Sequence, residues 1–389
     1  MRNLWPLLIA GSIGAMGVQA ACADNYQLLV GSYTAGQSQG IYRLNFDSAT
    51  GQIDARPLQV INSENPSWLT LSKDQRRLFV VNENGPGQSD PVGRVSSYAI
   101  DPKSHELSLI NQVQSLGNEP THSSLSADAG HLFVSNYSVA EDPGGTLAVL
   151  PVGADGALKP VVQISSHPAS RINPERQMSA HVHSTIASPD GRYVFSNDLG
   201  ADKVFVYRFD PKANPDLPLT PATPAFVQLP PGSGPRHLLF SADGQHAWLT
   251  MEMSAQVAVF DYRDGKLEQT QMVDLAAGQP ASDKAAAALH ASKDGKFLYV
   301  SNRGTANTLL VFAIDPVSGH LKELQRRSVE GDHPREFSLD PSGQFLLIAN
   351  QKSNRIVVVE RDAKSGLLGK TVQKLPMDAP SDLKFVLRQ

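Results

Sequence analysis

The chain has 389 residues, 41% hydrophobic and 19% charged, with 30 glycines, 27 prolines and one cysteine. It is too apolar for a disordered chain, has no glycine period and has too few cysteines for a disulfide scaffold. Lys and Arg number 34 against 38 Asp and Glu, a net charge of −4 without basic runs, so nucleic acid and anionic lipid are not expected partners.

The first element is a targeting segment. Met1-Arg2-Asn3 precedes an apolar run from Leu4 to Val18 and then Gln19-Ala20-Ala21-Cys22-Ala23-Asp24. A positive start, an apolar run and small-residue sites describe a secretory signal peptide over residues 1–23, cleaved before Asp24 or, as a second option, after Ala20. The rival reading, a lipoprotein signal acylated at Cys22, lacks the usual aliphatic residue before the cysteine. The run is shorter than the ~20 residues a bilayer needs, so no membrane anchor is expected. Residues 24–389 then contain no cysteine, which excludes thiolate catalysis and thiolate metal sites. An exported chain without disulfides points to the bacterial periplasm.

From there one pattern repeats: a strand, a turn bearing Asp and often Gly, a second strand and a polar pair. Its first copy runs Asn65-Pro66-Ser67, Ser72-Lys73-Asp74-Gln75, Asn82-Glu83. The first turn residue recurs at 72, 126, 188, 241, 292 and 340, with spacings of 54, 62, 53, 51 and 48. Further strand pairs such as 204–209 and 257–261 lie between copies, giving about four short strands per unit, a β-propeller blade. The Pro-rich stretch Pro211–Gly232 reads as a long blade-connecting excursion. The Asp of each turn reads as structural.

Six turns do not mean six blades. Residues 380–387 begin like an innermost strand and stop, while 26–33 and 40–44 read as the later strands of a blade. Pairing the chain ends makes a seventh blade and removes open edges. The expected fold is all-β: a single seven-bladed propeller of four-stranded blades over 24–389, about 52 residues per blade.

In each hairpin the Asp turn sits at one end, so the residues that begin the first strand and end the second meet at the other. Five before each marker stand Ser67, Thr121, His183, Arg236, Ala287 and Arg335; eleven after stand Glu83, Tyr137, Leu199, Glu252, Arg303 and Gln351. These twelve are expected to ring one mouth of the central channel. His183, Arg236, Glu252 and Arg303 converge over three consecutive blades. An imidazole base beside guanidinium groups suits a water-using reaction on an anionic or carbonyl-rich substrate. Glu83, Tyr137 and Arg335 share the rim and are expected to touch substrate. The bland reading makes Arg236 and Glu252 a strand-end salt bridge and His183 a satisfied turn histidine; the shared register favours the site. His181-x-His183 has a spacing a metal can use, but no third ligand completes it, so no metal or cofactor is expected. His237 and His290 read as capping or packing residues. There is no G-x-S-x-G elbow, Walker loop or strand-linked G-x-G-x-x-G.

Gly31-Ser32-Tyr33-Thr34, Asn65-Pro66-Ser67, Asn82-Glu83, Asn136-Tyr137-Ser138, His183-Ser184, Gly234-Pro235-Arg236-His237, Met251-Glu252 and Asn302-Arg303 together resemble the propeller lactonase family. That family includes bacterial 6-phosphogluconolactonases and fungal carboxymuconate cyclases, and the resemblance spans essentially the whole mature chain. It implies functional roles at His183, Arg236, Glu252 and Arg303, the four the register selects. Met251 stands where the family motif has Asn, and the carboxylate after it is kept. With the signal peptide, the resemblance implies a gluconolactonase of the periplasmic kind, opening glucono-1,5-lactone to gluconate. The competing readings are a lactonase for 6-phosphogluconolactone or another acidic lactone, a muconate-type cyclase, and a non-catalytic binding propeller. The implied partner is a small-molecule sugar lactone, and nothing demands more than a monomer.

Overall fold

The computed structural model describes residues 25–139 and 144–387, so the signal-peptide segment lies outside the described residues. Seven antiparallel sheets follow one another around a ring. The innermost strands of blades 1 to 6 are Pro66–Leu71, Pro120–Leu125, Val182–Ala187, Pro235–Phe240, Ala286–Ala291 and Pro334–Leu339. Blade 7 starts from Pro380–Val386, which pairs with Asn25–Ser32, and that strand pairs with Gly40–Asp47. Two short strands, Gln52–Ile53 and Gln59–Asn62, complete it against Gly40–Asp47. The two ends of the described chain therefore share one sheet, which closes the ring.

Burial follows position in the blade. Second strands such as Tyr193–Asp198 and Phe345–Asn350 are buried throughout, because both sheet faces meet neighbouring blades. Outermost strands such as Gln163–Ser166 alternate half-buried and exposed, the period-2 pattern of a sheet with one wet side. The core is divided into wedges between blades. Phe195 and Val206 of blade 3 pack with Leu249 and Phe260 of blade 4, and Trp248 and Val259 pack with Leu298 and Phe312 of blade 5.

The repeated turn is held by its own side chains. Ser72 Oγ donates to Asp74 Oδ1 at 2.6 Å and accepts from the Arg77 amide at 2.9 Å. The Ser-Asp bond recurs at 2.6 Å at Ser126, Ser241 and Ser292. This Asp is structural.

One expectation is corrected. Pro211–Gly232 is not merely a connection, because it contains Leu219–Gln228, the outermost strand of blade 3, paired with Lys203–Phe209. Its prolines hid it from the pattern, and an edge strand tolerates them because its outer side needs no ladder hydrogen bonds.

Candidate active site

The same local device opens every blade: the innermost strand slips register near its start. Pro66 pairs with Asn82 and Trp68 with Val81, leaving Ser67 unpaired. Val182 and Ser184 likewise bracket His183, Pro235 and His237 bracket Arg236, and Pro334 and Glu336 bracket Arg335. Thr121, Ser381 and Ala287 stand at the corresponding slips of blades 2, 7 and 5. A bulge frees one residue from the ladder and re-aims its side chain. Here each blade aims one residue at the channel mouth.

The second ring is built by hydrogen bonds. The amide after each second strand donates to a carbonyl just before the neighbouring innermost strand: Glu83 to Asn65, Glu252 to Gly234, Arg303 to Ala285 and Gln351 to His333, at 2.7 to 3.0 Å. Asn65, Gly234 and His333 hold left-handed φ angles of 41°, 64° and 62°. The twelve positions expected from the register fall at these places. Blade 7 adds Ser381 and Tyr33, which the count missed: its inner hairpin is made from the two chain ends and has no turn to count from.

The four candidate catalytic residues meet at one carboxylate. Glu252 Oε2 accepts from Arg236 Nε at 3.2 Å, forms an ion pair with Arg303 Nη2 at 2.7 Å and lies 3.7 Å from His183 Nε2. All four side chains are buried. Burial and then the Arg236 charge hold the His183 imidazole well below its usual pKa, against the pull of Glu252, so it is neutral at pH 7. Burial and Arg303 bring Arg236 down to about 9, which leaves it charged. Burial alone would raise Glu252, but the charges of Arg303, Arg236 and Arg176 hold it well below the carboxylate range. A neutral imidazole beside fixed cations can take a proton from water while the cations hold developing negative charge.

The three expected substrate contacts are divided. Arg335 pairs with Glu83 Oε2 at 3.1 Å and donates to Thr121 Oγ1 at 3.1 Å, while Tyr33 donates to Glu83 at 2.8 Å. This second cluster faces the quartet across the mouth. Tyr137 stands beside the quartet, stacked on His181 at 4.7 Å and edge-on to His183 at 5.5 Å. Below lies an aromatic floor of Trp68, His122 and His237. The His237 ring is 5.2 Å from His183 and 5.4 Å from His122, and both its nitrogens lie within 3.4 Å of Arg236 Nη1. His237 is therefore a packing residue, and what it packs includes a candidate catalytic arginine. His290 pairs with Glu336 at 2.7 Å, deeper in the channel.

The sequence reading missed Arg176. It lies on the excursion between Gln163–Ser166 and Val182–Ala187, where Asp198 accepts from His181 N and pairs with His167. Asn173 Oδ1 caps the amides of Glu175 and Arg176, and buried Gln177 donates to Leu199 O at 2.9 Å. This places Arg176 Nη2 2.8 Å from Glu252 Oε1 and 3.0 Å from the Tyr137 hydroxyl. It lies outside the repeat register. The only sequence trace is the spacing of 62 between copies, the widest in the chain.

Beside Glu252 and Arg303 is a cavity of about 660 Å³, whose walls also include Arg176, Asn307, Asp332 and Lys352. Among the described residues no group of three or more His, Cys, Asp or Glu side chains is placed to hold a metal. No helix of the described residues is long and apolar enough to cross a membrane.

Residues 27–385 match the family model described as "Lactonase, 7-bladed beta-propeller". The chain is 34% identical to a 6-phosphogluconolactonase of Formosa agariphila, over 92% of this chain and 99% of that one. It is 31% identical to the Bacillus subtilis 6-phosphogluconolactonase, over 92% and 97%. Among solved structures, the periplasmic gluconolactonase of Pseudomonas aeruginosa superposes with a TM-score of 0.91 at 55% identity, covering 94% of this chain and all of that one.

Proposed function

Because this chain belongs to the seven-bladed propeller lactonases and is thus a lactone hydrolase, we propose that its substrate is glucono-1,5-lactone, opened to gluconate in the periplasm. The export signal expected at residues 1–23 and the 55% identity to a protein named a periplasmic gluconolactonase support the compartment and the substrate. The observation that carries the chemistry is the buried carboxylate of Glu252, which joins a neutral imidazole to two charged guanidiniums.

In this reading His183 takes a proton from water as the water oxygen bonds to the lactone carbonyl carbon. Arg236 and Arg303 hold the oxyanion that forms, and Glu252 keeps both arginines aimed. The ring C–O bond then breaks, its oxygen takes the proton back from His183, and the new carboxylic acid releases one proton to solvent. Base and oxyanion contributions of about 10²–10³ each suffice for a reaction that already proceeds unaided in water. Tyr137 borders the bound ring, and the Arg335–Glu83 pair bounds the site across the mouth. The reading needs no metal, cofactor, nucleic acid or second subunit.

The test compares acid release from glucono-1,5-lactone and from 6-phosphogluconolactone by the purified chain. A kcat/KM for the free sugar lactone at least about tenfold higher supports the assignment. The reverse order moves it to the phosphorylated lactone.

A further inference from the structure

We propose that the cavity beside Glu252 and Arg303 is a carboxylate-binding site, which retains the aldonate product through Arg176 and Lys352. This rests on the lactone-hydrolase reading above and adds a property to it: inhibition by the acid that the reaction makes.

Arg176 is only half used. Its Nη2 serves Glu252 and Tyr137, while its Nε and Nη1 make no hydrogen bond among the described residues. Its side chain is 42% exposed, unlike the buried Arg236 and Arg303. Lys352 lines the same cavity, and its ammonium has neither an ion pair nor a hydrogen bond among the described residues. The cavity walls carry Arg176, Arg303 and Lys352 against Glu252 and Asp332, an excess of one positive charge. Asp332 is engaged by Asn307 Nδ2 at 2.9 Å, and Glu252 is already shared among three arginines. A neutral lactone gives these spare donors nothing charged to hold. Its hydrolysis product carries a carboxylate that they can hold, and charge-assisted bonds to a guanidinium and an ammonium are the stronger kind.

Access points the same way. The cavity touches Glu252 and Arg303 but neither His183 nor Arg236, and Arg176 lies across the gap between Glu252 and Tyr137. A carboxylate that draws Arg176 from Glu252 Oε1 occupies the approach that the next lactone must use. Product therefore competes with substrate.

The experiment is calorimetric titration of the full mature chain at fixed ionic strength with gluconate and with glucitol, which has the same hydroxyl chain and no carboxylate. Wild type, Arg176→Met, Lys352→Met and the double variant are compared, and inhibition of lactone opening is measured alongside. Lys352 is exposed, and Arg176 makes its bonds to Glu252 and Tyr137 at the channel mouth, so neither replacement opens the core between the blades. Gluconate is expected to bind wild type one to one and to inhibit competitively. Each single replacement should weaken its binding by about tenfold, with glucitol unaffected. Equal binding of gluconate and glucitol to wild type overturns the proposal, as does wild-type gluconate affinity in the double variant. Gluconate binding as expected without any lactone opening overturns the assigned substrate and leaves the carboxylate site standing.

Discussion

Glu252 is the side chain on which the site's charges are balanced. It accepts from Arg176 and Arg236, pairs with Arg303 and lies against His183. Glu252→Gln keeps the shape and removes the charge, leaving Arg236 buried without its nearest counter-ion. Loss of about 3 kcal/mol in urea unfolding is expected, with kcat/KM reduced by at least about a hundredfold. The histidines set the response to acid. His122 is held at about 3, chiefly by burial, and His183 and His237 lie well below 6.5 for the same leading reason. The unfolded chain binds these protons below about 6.5 and the folded chain does not, so stability is complete above that pH and is lost as pH falls through it. His122 should contribute a slope of about 1.4 kcal/mol per pH unit between roughly 6 and 4.5, and His183 and His237 act in the same direction. His122→Phe should remove one such contribution, measured as the slope of unfolding free energy against pH. A slope unchanged by the substitution would show that the imidazole is charged in the fold. The same depression keeps the His183 base neutral, so kcat/KM should stay level from pH 7.5 through 6.5.

At the scale of the element, the informative feature is the bulge that begins each innermost strand. The sequence marks it only indirectly, through a constant count from the Ser-x-Asp turn. That count alone brings His183, Arg236, Glu252 and Arg303 together. It failed where no turn exists, at Ser381 and Tyr33, and where the chain leaves the repeat, at Arg176. A residue on an irregular excursion is placed by local contacts such as Asn173 and Gln177, which have no period to read. Gly234 tests whether the bulge positions the site. It has φ 64°, its carbonyl accepts from Glu252 N, and a Cβ there would lie 2.8 Å from Met253 Cγ. Gly234→Ala is expected to cost about 1–2 kcal/mol for the left-handed backbone. Because Arg236 follows two residues later, kcat/KM should fall by about tenfold or more. Activity lost only in proportion to folded protein would separate the bulge from catalysis.

For the whole molecule, closure is the decisive interaction. Pro380–Val386 supplies the innermost strand of blade 7, and its Asp382 carboxylate accepts from the Leu69 amide of blade 1 at 2.7 Å. Leu383 also packs in the wedge that joins blade 7 to blade 6. Removing residues 380–389 should expose the Asn25–Ser32 edge and abolish cooperative unfolding, seen as the loss of a single calorimetric transition, with aggregation through the open strand. Retention of that transition would show that six blades suffice. The blade number was legible from chain arithmetic and from the two split ends, because a ring has to close. The outermost strand Leu219–Gln228 was not legible, because an edge strand is constrained on one side only.

The measurement that bears most directly on the proposed chemistry is acid release from glucono-1,5-lactone, followed with a pH indicator in weak buffer at short times. Wild type would run beside His183→Ala and Arg236→Met, each first shown to melt cooperatively. Acceleration by wild type that both substitutions reduce by at least about a hundredfold is the predicted result. Acceleration that survives both changes would contradict the assignment of the channel-mouth quartet as the place where water meets the lactone.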